Sequence, residues 1–152
     1  MSKQTDNIRP PKTGIFVQYY EGAYGPTILI DTMKWDELQK IRSLFVRLAR
    51  GEIDITNLLT AEQITPIGFD VLVLTRLKCN DEREKCIEFK RGKTGTIEFQ
   101  WSLPAVEWWG CVNLVDGFTE GKSGHHYFGS EENDDAIIVL QYMESAAYRG
   151  LK

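Results

Sequence analysis

The sequence predicts an α+β fold, a mostly antiparallel or mixed sheet of about six strands with two main helices. Three observations carry that expectation. Several short segments alternate apolar and polar residues with a period of two, most cleanly Ile87-Glu-Phe-Lys-Arg91 and Ile97-Glu-Phe-Gln-Trp101. One segment, from Trp35 to Leu48, places apolar residues at helical spacing. Strands and helices do not alternate regularly along the chain, which argues against a doubly wound parallel sheet. The expected order is β-β-α-β-β-β-α-β.

Gly14 to Tyr20 and Thr27 to Ile30 read as two strands joined by Glu21-Gly-Ala-Tyr-Gly-Pro26, a turn on its glycines and proline. Asp31 or Thr32 is then the expected cap of the first helix, because either side chain accepts a hydrogen bond from an orphan N–H of the first turn. Trp35, Leu38, Ile41, Phe45 and Leu48 form one apolar face. Asp36 and Glu37 lie near the positive end and Arg47 and Arg50 near the negative end, with Gly51 as the stop. Residues 52–66 carry no clear period. Ile67 to Leu77 is apolar on both alternating faces and reads as a central strand covered on both sides. Cys86 to Arg91 and Thr96 to Trp101 are expected to form a hairpin around Gly92-Lys-Thr-Gly95, with Ile87, Phe89, Ile97, Phe99 and Trp101 inward. A second helix is expected over Ser102 to Phe118, capped by Ser102, with Pro104 in its first turn. Thr119 to Asp135 reads as a polar loop and Ala136 to Tyr142 as the last strand.

At 152 residues the chain is expected to form one domain over 13–145, between a polar N-terminal tail of residues 1–12 and a short C-terminal tail of 146–152. A core of that size needs neither disulfides nor a structural metal. No run approaches the ~20 apolar residues of a membrane span, and the first residues lack a signal-peptide core, so a cytoplasmic protein without a membrane role is expected. The net charge of −4 makes nucleic acid an unsuitable partner.

The chemistry-bearing patterns are incomplete. Gly121-Lys122-Ser123 ends like a phosphate loop, but Asp116 stands where that motif needs its first glycine, and a helix rather than a strand precedes it. Cys79, Cys86 and Cys111 include no CxxC pair, so neither zinc nor any other cofactor is expected. Cys111 sits in an apolar helix and reads as a core residue. His125-His126 is the strongest chemical candidate, since imidazole titrates near neutral pH and ligates metals. Adjacent side chains of an extended segment point to opposite faces, however, so the two do not easily share one ion. A histidine- or metal-dependent hydrolase would have to use one of them with Asp116 or Glu120.

Charge is segregated. Asp116 to Glu144 holds seven acidic residues and one lysine, while Arg76 to Lys93 holds seven basic and four acidic ones. Trp108 and Trp109 are about 100° apart on a helix, so one should face the core and the other its margin. The expected function is a non-catalytic protein-binding module of adaptor, inhibitor or immunity type. Its surface would comprise Trp109, Glu120, His125, His126, Tyr127, Glu131, Glu132, Asp134 and Asp135, facing a partner with a basic surface. A small-ligand pocket between Tyr19, Tyr20 and Tyr24 of the first hairpin and the aromatic helix is the remaining alternative.

Overall fold

Alternating apolar residues build most of the strands, and their pairing sets the architecture. The computed structural model describes residues 14–23, 25–60, 64–78, 85–92, 95–128 and 134–144. They form strands β1 (Ile15–Gly22), β2 (Gly25–Thr32), β3 (Ile55–Asn57), β4 (Ile64–Ile67), β5 (Val71–Leu77), β6 (Ile87–Arg91), β7 (Ile97–Pro104), β8 (Gly124–Phe128) and β9 (Ile137–Tyr142), with helices α1 (Trp35–Arg50) and α2 (Ala105–Asp116). The fold is α+β, with nine strands rather than six among the described residues. The first sheet runs β4-β1-β2-β9-β8 and the second β3-β5-β7-β6, and both mix parallel with antiparallel pairs.

The two expected hairpins form, β1 with β2 and β6 with β7. Helix α1 buries the expected face, with Leu38, Ile41, Phe45 and Leu48 in the core and Trp35 edge-on to Tyr142. It ends at Gly51 in the left-handed region (φ 78°), where the Glu52 N–H donates to the Arg47 carbonyl.

The helix starts differ from expectation. Strand β2 continues through Asp31 and Thr32 because these pair with Gln141 and Tyr142 of β9, so neither caps α1, which begins at Trp35. Ser102 likewise stays in β7, held by its parallel pairing with β5 out to Leu77↔Pro104, and Pro104 precedes α2. In both places tertiary pairing overrides capping propensity. Residues 52–66 contain β3, a 3₁₀ turn at Leu58–Thr60 and β4. The expected strand over 67–77 is broken at Gly68, whose φ of +85° and approach to the Tyr19 carbonyl exclude a side chain, and only β5 beyond it continues. β5 is interior to its sheet but covered on one face: Leu72 and Leu74 are buried, while Val71, Val73 and Thr75 are half-buried.

One core joins both sheets and both helices. At its centre Trp101 of β7 meets Phe45 of α1, Trp108 of α2 and Phe128 of β8 at ring separations of 4.9–5.8 Å. The Trp108 indole N–H donates to the Thr75 carbonyl (3.1 Å), tying α2 to the end of β5. Both faces of the first sheet are buried along β2, where Ile28 and Ile30 are covered on one side and Leu29 and Asp31 on the other. No described helix is long and apolar enough to cross a membrane.

Candidate functional site

The expected polar loop of residues 119–135 contains a strand. β8 pairs antiparallel with β9, so its side chains alternate between the two faces of the sheet. His126 and Phe128 turn inward, and the His126 ring stands edge-on to Phe118 at 4.8 Å. His125 and Tyr127 turn outward, edge-on to each other at 5.6 Å. The two histidines therefore sit on opposite faces, as extended backbone requires. His125 Nδ1 lies 3.4 Å from Glu144 Oε2, and Tyr127 is 56% exposed.

β8 is also an edge. Each sheet edge presents backbone groups that can pair with another chain unless something blocks them. β4 carries Pro66, and β3 has three residues. The edge of β6 is covered from within: Asp134 Oδ1 accepts from the Cys86 and Ile87 N–H groups, Asp135 Oδ2 accepts from Phe89 N–H, and the Asp135 N–H donates to the Ile87 carbonyl. β8 carries no proline, no lysine and no such cover among the described residues.

Beside β8, on the outer face of its sheet, lies a cleft of about 190 Å³. Its floor is Ile137 and Val139 of β9, and its walls are Tyr20 of β1 and Tyr127 of β8. The polar end holds His125, Gln141 and Glu144. The order β1-β2-β9-β8 brings these residues together, with Tyr20 opposite Thr27, Thr27 opposite Ile137, and Tyr127 opposite Val139. Tyr20 was legible only as one tyrosine of a possible pocket with the aromatic helix. Instead Tyr19 turns into the core against Phe69 and Phe99, Tyr24 lies outside the described residues, and α2 does not line the cleft. Gln141 and Glu144 gave no sign in the sequence beyond their place in and after the last strand.

The acidic run is less available than its sequence suggests. Asp116 accepts two hydrogen bonds from the Arg42 guanidinium, at 2.6 and 3.2 Å, joining α2 to α1. Asp134 and Asp135 serve the β6 edge, and Asp135 also pairs with Lys85 at 2.8 Å. Burial alone would raise the Asp135 pKa, but the Lys85 ammonium and the Phe89 N–H outweigh it and hold the carboxyl below its usual range. Glu131 and Glu132 lie outside the described residues. Glu120 is exposed in the turn before β8, and Glu144 sits in the cleft. Trp109 is 39% exposed on α2 beside Val106 and away from the cleft, while Trp108 is buried.

His125 faces Glu144 rather than Asp116, whose carboxylate the Arg42 guanidinium engages. Cys111 is buried, and burial, aided by the nearby Glu107 charge, pushes its thiol up to about 12, so it is not a nucleophile at neutral pH. Among the described residues no group of three or more His, Cys, Asp or Glu side chains is placed to hold a metal ion. Comparison with known protein families, with curated proteins and with solved structures gives no match.

Proposed function

We propose that this chain is a non-catalytic protein-binding module that takes up an extended segment of a partner alongside β8. The observation that carries the reading is the contrast among edges: three of the described sheet edges are short, contain proline or are covered by aspartates, and β8 is not. An added strand gains affinity from main-chain hydrogen bonds and specificity from side chains at alternate positions. His125 and Tyr127 are the alternate outward side chains of β8, next to a cleft. An adaptor or an inhibitor acts through such a surface without transforming its target. A cytoplasmic location fits Cys111, a buried cysteine outside any disulfide.

The test is site-specific photocrosslinking in the protein's own cells. The photoreactive residue p-benzoylphenylalanine replaces Tyr127 on β8, Glu88 on β6 or Val106 on α2, all exposed positions. The reading expects one partner joined in stoichiometric amount at Tyr127 and not at the other two. Crosslinks at Glu88 or Val106 but none at Tyr127 would refute it.

A further inference from the structure

Resting on that reading, β8 carries a guard of its own that depends on pH. Sheet edges are kept from pairing by proline, by shortness, by cover, or by charged side chains that an added strand would have to bury. The other three described edges use the first three devices. β8 instead carries two side chains whose charge is conditional, His125 and His126. Imidazole gains and loses its proton between about pH 5 and pH 8.

The two histidines are not equivalent. His125 turns outward and is exposed, with Glu144 Oε2 3.4 Å from its Nδ1, so a proton there meets a carboxylate. Tyr127 and Tyr20 are the other titratable groups on that side. His126 turns inward, is half-buried and faces Leu140 across the β8–β9 pair. Its ring stands edge-on to Phe118, and a Cβ placed on Gly117, just past α2, would lie 3.3 Å from its Nε2. The charged and titratable groups of the elements around it are Asp116, engaged by Arg42, Glu120 and Lys122, both exposed in the turn before β8, and Tyr142 of β9, whose hydroxyl accepts the Gly121 N–H. Of the two histidines, only His125 has a carboxylate partner among the described residues. A strand added outside β8 makes β8 interior and covers the rim of its inward face. A neutral imidazole is buried there at little cost, whereas a protonated one gives up water and gains no counter-charge. We propose that His126 is a proton-operated guard of the β8 edge, permissive when neutral and closed to an added strand when charged.

The test uses the full-length protein with p-benzoylphenylalanine at Tyr127, irradiated in an extract of its own cells at about pH 7.5 and at about pH 5.5, on either side of the imidazole range. Substitutions at the histidines separate their protonation from that of the extract's proteins. With both histidines native, and with His125→Gln, crosslinking should fall at least about fivefold in acid. With the neutral replacements His126→Gln and His126→Phe it should be equal at both pH values. With His126→Lys it should be lost at both, while circular dichroism shows each variant folded. A native yield that ignores pH, a fall in acid that persists in both neutral variants, or full crosslinking of His126→Lys overturns the guard and leaves strand addition standing. No crosslink at Tyr127 at either pH with both histidines native refutes the module, and the guard falls with it.

Discussion

Three buried side chains show how individual contacts set reactivity and stability. The thiol of Cys111, pushed up to about 12 by burial and by Glu107, is protonated throughout the physiological range. It should therefore resist a disulfide reagent in the native protein and react only after unfolding. Rapid native labelling at Cys111, read by peptide mass mapping, would contradict this placement. Trp101 and Trp108 meet at 4.9 Å but differ in their polar atoms. The Trp108 N–H donates to the Thr75 carbonyl, whereas the Trp101 N–H is buried without a partner. Trp108→Phe removes a hydrogen bond and Trp101→Phe removes an unsatisfied donor. Denaturant unfolding should find Trp108→Phe the more destabilising by about 1 kcal/mol. At this scale the sequence was informative: that Trp108 is buried and its neighbour Trp109 partly exposed agrees with helical spacing, which sets one toward the core and the other at its margin.

Among the elements, β6 shows a sheet edge closed from within. Asp134 and Asp135 lie 43 or more positions after the strand they serve, with separations of 46–48 residues between bonded groups. The sequence offers them only as part of an acidic run, because nothing local reveals that their carboxylates meet backbone N–H groups. Asp135→Asn should destabilise the fold by about 1 kcal/mol near neutral pH. The Asp135 pKa is depressed in the folded state, so its contribution is complete above the unfolded value of about 3.9 and fades as pH falls through the lower folded value. Urea unfolding of both forms should show a gap that is constant above about pH 5 and closes in stronger acid. A gap that widens on acidification would mean that Asp135 does not act through its charge. The same dependence on distant pairing explains the displaced helix starts, since β2 and β7 run on past their apparent caps to keep partners in β9 and β5. It also explains β8, whose histidines read as loop residues until β9 pairs with them.

Across the whole molecule, the two sheets differ in what they leave open. The second sheet turns a polar, half-exposed face outward, with Glu88, Lys90, Glu98 and Gln100 on it. The first sheet is covered on both faces along β2, and the cleft lies beside β8. The class of fold and the hydrophobic face of α1 were legible because both depend on local period. Strand order was not, and the cleft depends on it: Tyr20 and Glu144 come together only because β1, β2, β9 and β8 are neighbours in that order. Among the described residues β8 is an open edge, while β6 is closed by Asp134 and Asp135. Residue-resolved amide hydrogen exchange on the free protein tests it most directly. Slow exchange is expected for Ile87 and Phe89, held by Asp134 and Asp135, and fast exchange for alternate residues of β8, whose N–H groups point away from β9. Uniform protection along β8, or fast exchange at Ile87 and Phe89, would contradict it.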